Sequence, residues 1–421
     1  MKRGAHYDIA VIGAGASGLL AAISAAQIGP ELRIVIVEKN SEPAKKLYAT
    51  GNGRCNYMNR YVKPEDFRSA GTEGVPPHAK SLFSGSSAEK MIRFLRELGI
   101  EPREEEDGRL YPRSNQAADV VRALLTAVGN AGIEIVCGFD VREISQIEDS
   151  CKILSAERDY LYARRVVIAT GGKAGIQYGC TGDGYKLAAS FGHSVIKPIP
   201  ALTQLVTRDD ISMMVGARVR ARIKLLGVMG YGSRLAAEDS GEVQFTRDSL
   251  SGICTFNVSR FLRYEEGVSY RAELDLMEEY SDQSVEELLT HRRAGFRNEP
   301  VPMLLTGLVP DRVASYISSR AGAKPGRLCA SLESSDIKRI ARLLKTLSFD
   351  ITGTKSWKDA QVTCGGVSLS EVDPQSFASA RSKYLYLAGE LLDVDARCGG
   401  FNLSFAFASG MAAGMAAARS L

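Results

Sequence analysis

One short stretch near the start limits the fold more than any other. Residues 7–12 form an apolar run of strand length, and Gly13-Ala14-Gly15-Ala16-Ser17-Gly18 follows directly. The Ala-, Leu- and Ile-rich segment after it predicts a helix ending near Gly29. A second apolar run, 33–37, closes on Glu38, about 20 residues past the last glycine. Each piece has a physical task. Gly13 permits the tight turn, Gly15 lets backbone approach a pyrophosphate, and Gly18 lets helix lie close on strand. The amides opening the helix face the phosphates, and Glu38 accepts hydrogen bonds from a ribose diol. The segment therefore reads as a strand–helix–strand unit for an adenine dinucleotide.

At 421 residues the chain exceeds one core, so two or three domains are expected. Its 45% hydrophobic and 24% charged residues fit an ordinary globular protein, and a net charge of +4 does not by itself call for nucleic acid or a membrane surface. Four histidines and eight dispersed cysteines without a CxxC pair leave no expected metal site. Reduced thiols and the missing signal peptide point to the cytoplasm. Segments 11–28 and 401–418 are apolar, and Gly410-Met411-Ala412-Ala413-Gly414 has the spacing of packed membrane helices. Small residues equally let a soluble helix lie close to its neighbour, and Asn402, Ser404 and Ser409 interrupt the second segment. Buried helices and no membrane are expected.

Downstream of Glu38, Thr50-Gly51-Asn52-Gly53-Arg54-Cys55-Asn56 suits a ligand-cradling loop. Helices are predicted at 88–98 and 117–128, and a strand at 132–136. A small antiparallel sheet follows up to 162, then a strand at 165–169 ending in Thr170-Gly171-Gly172. Residues 1–194 thus form the first part of a nucleotide-binding domain. From 195 to 278 the texture is β-rich. Val219, Ala221, Ile223 and Leu225 alternate with Arg218, Arg220, Arg222 and Lys224, whose basic stripe reads as a solvated sheet face, with RNA attraction as the rival reading. Residues 279–347 read as a helical subdomain, with Ser284 and Ser335 as expected helix caps. Residues 348–421 return to the first domain.

That return carries the second strong signal: a strand at 384–387, then Ala388-Gly389-Glu390, Asp393, Asp395, Gly399-Gly400-Phe401-Asn402 and a helix. With the opening loop, this pattern resembles flavoproteins that hold FAD extended between an N-terminal glycine loop and a C-terminal strand. More narrowly, the chain resembles the HI0933-like family of FAD-dependent oxidoreductases, which includes aminoacetone oxidases and bile-acid-type reductases. The shared motifs are the glycine loop, Gly51–Asn56, Gly108-Arg109-Leu110-Tyr111-Pro112, Ala169–Gly172, Thr181-Gly182-Asp183-Gly184-Tyr185, Cys364-Gly365-Gly366-Val367 and 388–402. Ala396, Cys180 and the residues around Leu250-Ser251-Gly252 depart from the family pattern.

The resemblance implies an α/β class: a Rossmann-like FAD-binding domain with an inserted β-barrel-like domain and a small helical subdomain. It implies that Gly13, Gly15, Ser17 and Gly18 meet the pyrophosphate, Glu38 the ribose, and the Val141 backbone the adenine, while Lys46 neutralises phosphate. Gly51, Gly53, Arg54 and Asn56 are implied along flavin or pyrophosphate, Thr170 and Gly171 at the dinucleotide's middle, and Gly389 and Glu390 at the ribityl chain. Gly400, Phe401 and Asn402 would bring helix amides to the pyrimidine edge, where reduction leaves negative charge. Ala16, Lys39, Cys55, Gly172, Asp183, Asp395 and Leu403 complete the expected cofactor set.

The flavin carries the hydride through N5, so no catalytic side chain is assigned. Arg109, Tyr111 and Tyr185 are weaker substrate-side candidates. Cys55 beside Arg54 reads as a structural thiol, with a reactive thiolate as the rival, and His6 and His193 read as structural. The expected activity is hydride transfer between FAD and a small organic substrate, with NAD(P)H as a transient co-substrate or oxygen as electron partner. No nucleic-acid partner is expected, and no oligomeric state is assigned. A flavin redox sensor or assembly factor, or an RNA-modifying flavoenzyme, are the alternatives.

Overall fold

The computed structural model describes residues 3–230 and 232–421. The chain divides into two compact units: one reaches to Pro200 and resumes with Gln361–Leu421, and the other is Ala201–Ala360.

In the first unit, β1 (Ala5–Ile12), helix α1 (Ala16–Ile28) and β2 (Ile34–Glu38) follow the expected order. The strands Glu134–Cys137, β2, β1, Tyr160–Ile168 and Leu385–Leu387 lie side by side and parallel. All of β2 is buried, as a strand covered on both faces requires. Tyr160–Ile168 is long enough to serve twice. Its first half pairs antiparallel with Ser150–Ser155, which pairs with Val141–Ile147, while Val166–Ile168 pair with Leu385–Leu387. Register aligns Ile12 with Val37 and Ile168, and Ile168 with Leu387. Gly13, Glu38, Ala169 and Ala388 therefore leave the sheet along one carboxyl edge, where open α/β sheets place ligands.

The C-terminal helix, Phe401–Arg419, is the one described helix long and apolar enough to cross a membrane, and 61% of its apolar window is buried. Its small residues have a specific use. A Cβ on Gly410 would overlap the Ser17 carbonyl oxygen, and one on Gly414 the Ala21 carbonyl oxygen. The glycine spacing thus sets this helix backbone-to-backbone against α1.

The second unit contains a closed six-stranded barrel, in the order Leu205–Thr207, Ser249–Ser251, Gly232–Phe245, Arg218–Met229, Ser269–Asp275, Leu347–Thr354. Val219, Ala221, Ile223 and Leu225 point inward. Helices Asp282–Gly295, Asp311–Arg320 and Ser334–Lys345 contribute Val285, Leu289, Ile317 and Ile340 to the same core, so barrel and helices are one hydrophobic body. The closing strand departs from the sequence reading, which put everything from 348 in the returning segment. Leu347, Phe349 and Ile351 face the barrel core, an alternation that predicts a strand without saying which sheet it joins.

Both expected caps shift. Ser281, not Ser284, caps the first of these helices, its Oγ accepting from the Ser284 N–H at 3.1 Å. Glu333, reciprocated by Asp336, caps Ser334–Lys345 in place of Ser335. In each case a polar residue just upstream holds the extended backbone that a cap needs. The basic stripe is matched by acids: Arg218 lies 3.3 Å from Glu242, Arg222 lies 3.4 Å from Glu278, and Lys224 stands between Glu238 and Glu273 in register. Exposed pairs add little stability, but they set an acid beside each of these three basic groups.

Candidate dinucleotide and flavin site

The three loop glycines serve three different needs. Gly13 has a left-handed backbone (φ 102°), and a Cβ there would lie 2.7 Å from the Ala169 carbonyl oxygen. A Cβ on Gly18 would overlap the Gly13 carbonyl oxygen. Gly15 alone faces space, with no atom within 4 Å of its Cβ position. No side chain caps α1, so the Ala16, Ser17 and Gly18 amides open toward that space.

Glu38, only 8% exposed, stands beside the loop. Its Oε2 accepts from the Ala14 N–H at 2.9 Å, and its Oε1 accepts from the Asn40 N–H at 2.9 Å and Asn40 Nδ2 at 2.7 Å. A carboxylate has about four acceptor positions, so a ribose hydroxyl still finds one. Glu38→Ala should weaken FAD binding by about 1–3 kcal/mol, roughly 5- to 150-fold in Kd. Fluorescence titration of the FAD-stripped protein measures this, and an unchanged Kd removes Glu38 from the ribose. Lys39 Nζ reaches Asp183 Oδ2 at 2.8 Å and Thr181 Oγ1 at 2.5 Å, tying the end of β2 to helix Asp183–Ala189. Burial pushes the Asp183 carboxyl up, but the Lys39 and Thr181 hydrogen bonds outweigh it and hold the group below its ordinary pKa. Phe139 N–H donates to the Glu38 carbonyl at 2.9 Å, which runs the chain toward Val141 along the end of β2.

At the middle of the edge, Gly171 is left-handed (φ 73°) over open space, and the buried Thr170 Oγ1 has no partner. Gly389, also left-handed (φ 75°), donates its N–H to Ser409 Oγ at 2.9 Å, and a Cβ on it would strike Ser17 Oγ. The two ends of the chain thus touch at the first turn of α1. Glu390 Oε2 pairs with Lys46 Nζ at 2.7 Å, and its Oε1 accepts from the Thr363 N–H at 2.8 Å. Lys46, expected on phosphate, is here the counter-ion of Glu390.

In the 50–56 loop Gly51, Asn52, Gly53 and Cys55 are all left-handed. Arg54 turns to the protein: Nε donates to Asn115 at 2.7 Å, Nη2 pairs with Glu105, and the guanidinium lies 4.1 Å over the Tyr111 ring. Cys55 is fully buried, and burial pushes its thiol up to about 12 against a hydrogen bond with Thr50. It is an inert core thiol.

Asn56, its amide oriented by its partners, donates to the Met58 carbonyl at 3.0 Å and accepts from the Gly400 N–H at 3.1 Å. Asn402 accepts from the Ala396 N–H at 2.9 Å and donates to its carbonyl at 2.8 Å, while Asn59 donates to the Gly399 carbonyl at 3.0 Å. Three amide side chains thereby fix the Gly399-Gly400 turn that opens the C-terminal helix. No side chain caps that helix, so the Phe401, Asn402 and Leu403 amides stand ready for developing negative charge. Asp395 lies deeper, 1% exposed and 3.2 Å from Arg68, as a brace under this turn.

His193 Nε2 meets Ser379 Oγ at 2.7 Å and its Nδ1 lies 3.3 Å from Glu371, an array like a hydrolytic triad. But Ser379 Oγ already accepts from the Arg381 and Ser382 N–H groups, all three residues are buried, and burial holds His193 below its ordinary pKa. His6 stacks on Tyr162. Tyr111 and Tyr185 are buried, and Arg109 pairs with Asp107. Asn40, Asn59, Arg68, Thr363 and Ser409 are organising residues that the sequence did not announce; only Thr363, next to Cys364-Gly365-Gly366, borders a recognised motif. An open cradle at Gly15 on the sheet edge and two uncapped helix starts suit an extended FAD.

Comparison with known proteins agrees. The family model described as the HI0933-like protein Rossmann domain matches residues 7–416. A 3-dehydro-bile acid delta(4,6)-reductase from Clostridium scindens is 32% identical over 97% of this chain and 98% of its own. Ribosomal RNA dihydrouridine synthases from Haemophilus influenzae and Escherichia coli are each 25% identical over 97% of this chain, covering 98% and 97% of theirs. A 3-ketosteroid delta1-dehydrogenase structure from Sterolibacterium denitrificans shares the fold, with a TM-score of 0.52 at 12% identity, over 99% of this chain and 100% of that one. With the match running from the first strand almost to the end of the last helix, this chain belongs to the HI0933-like family and is an FAD-dependent oxidoreductase.

Proposed function

We propose that the protein saturates a carbon–carbon double bond conjugated to a carbonyl group. The observation that carries this reading is the pair of reactions named for its full-length relatives. A 3-dehydro bile acid with 4,6-unsaturation is a conjugated ketone, and a uridine turned to dihydrouridine loses the double bond beside a ring carbonyl. When bound, FAD would supply the hydride taken up at the carbon β to the carbonyl, and a proton would complete the α carbon. The carbonyl draws off the charge between these steps. With one full glycine loop in the chain, NADH or NADPH serves as a transient co-substrate that returns the two electrons.

The substrate we favour is a small polycyclic 3-oxo-4-ene acid. Support comes from 32% identity along the whole chain, and from acids that neutralise the basic stripe an RNA substrate would need. Uracil in ribosomal RNA is the second reading, favoured by the two synthases. Eight cysteines without a disulfide among the described residues suit a reducing compartment, and so the cytoplasm.

Anaerobic stopped-flow spectroscopy tests the proposal. NADH or NADPH should bleach the flavin, and a 3-oxo-4-ene steroid acid should restore its colour while gaining two hydrogens by mass spectrometry. Restoration of dihydrouridine in deficient ribosomal RNA, with the steroid inert, would move the substrate to RNA and keep the bond class. Reoxidation by oxygen alone, with neither acceptor reduced, rejects the reading.

A further inference from the structure

Thr363 occupies the strand Val362–Val367 with no exposed surface, where volume alone would be met by valine. Its hydroxyl does what valine cannot. Oγ1 accepts from the Lys173 N–H at 2.7 Å and the Ala174 N–H at 3.0 Å, filling both acceptor positions. Its own N–H donates to Glu390 Oε1 at 2.8 Å, and the other Glu390 oxygen holds Lys46 at 2.7 Å. Gly172 has no room for a Cβ because Thr363 and Glu390 press on it. Four segments remote in sequence, around residues 46, 172, 363 and 390, therefore meet around Thr363 and Glu390. Two of them are loops that leave the sheet edge beside α1.

We propose that Thr363 is a positioning residue for FAD: its hydroxyl anchors the Thr170–Gly172 loop at its far end, through the Lys173 and Ala174 amides, and its amide fixes Glu390, so the middle of the cofactor site keeps its shape only while both are held. The residue acts through these loops. Removing the hydroxyl takes this acceptor from the buried Ala174 N–H and the half-buried Lys173 N–H, and the loop shifts away from Thr363 and Glu390 to satisfy the buried group elsewhere.

The test compares Thr363→Val and Thr363→Ser with the parent, titrating FAD into each stripped protein and following thermal unfolding of the FAD-free forms. In the valine variant Kd should rise about 10- to 100-fold, and serine should restore it to within about threefold of the parent. Three results overturn the proposal: a valine variant with parental Kd; a lowered melting temperature with parental Kd in the folded fraction, which marks a purely structural role; or a serine variant as weak as valine. A parent that takes up no FAD would instead sink the cofactor assignment, so the two failures are distinguishable.

Discussion

Gly15→Val should give a folded, soluble and colourless protein. Nothing lies within 4 Å of the Cβ position, and the backbone (φ −86°, ψ −170°) is one that valine adopts freely. The cost to the FAD-free fold is the poorer helix start, about 1 kcal/mol. The cost to FAD is far larger, because the branched side chain fills the space through which phosphate oxygens reach the α1 amides. Charge-assisted hydrogen bonds contribute about 1.5–3 kcal/mol each, so losing two or three raises Kd by at least about a hundredfold. Gly18→Val is the contrasting variant. Its side chain lands on the Gly13 carbonyl, so the loop cannot form and the protein should fail to accumulate. Circular dichroism, with the FAD released per chain on denaturation, separates the two. A yellow Gly15→Val protein at full stoichiometry would refute the phosphate cradle.

This contrast also marks what a sequence makes legible. Gly13, Gly15, Gly18 and Glu38 act within one strand–helix–strand unit, where spacing along the chain fixes spacing in space. The turn at Gly13, the close approach at Gly18 and the place of Glu38 beside the loop were readable because each is local. The Gly389–Glu390 turn and the Gly399-Gly400 helix start were readable because family-like motifs frame them. The partners are another matter. Lys46 meets Glu390 across 344 residues of chain, and Ser409 finds Gly389 only once the C-terminal helix has docked. Thr363 looks like any β-branched strand residue until the loop after Ile168 arrives beside it. The barrel's last strand was misplaced for the same reason, since alternation reports one buried face and not its neighbour. Left-handed Cys55 carries no sequence mark, because the loop around it imposes its conformation, whereas left-handed Asn52 sits between two glycines in a residue type that favours that region.

Gly414→Ala should destabilise the protein although it improves the intrinsic helix propensity of the C-terminal helix. Alanine in a helix interior gains up to about 1 kcal/mol over glycine, and that gain is available wherever the new methyl meets nothing. Gly129 in helix Ala117–Asn130 is such a place, with no atom within 4 Å, so Gly129→Ala should stabilise by up to about 1 kcal/mol. At Gly414 the methyl overlaps the Ala21 carbonyl oxygen, which belongs to the backbone of α1 and cannot rotate aside. The helices must separate instead, which takes contacts from Ser17 to Ala417 with them. Overpacking costs about 1–3 kcal/mol, and a methyl overlapping a fixed backbone oxygen falls at the upper end of that range, so the net loss after the propensity gain should be about 1–2 kcal/mol for alanine and larger for valine. The loss reaches the site. The moving helix carries Ser409, which holds the Gly389 N–H, and begins at the turn that presents the Phe401 amides. Urea unfolding of the FAD-free proteins, paired with FAD titration, should therefore show stability and cofactor affinity falling together in Gly414→Ala while Gly129→Ala keeps its affinity. Parental stability in Gly414→Ala would mean that α1 and the C-terminal helix do not meet at their backbones, and the junction that brings both ends of the chain to one cofactor would have to be drawn elsewhere.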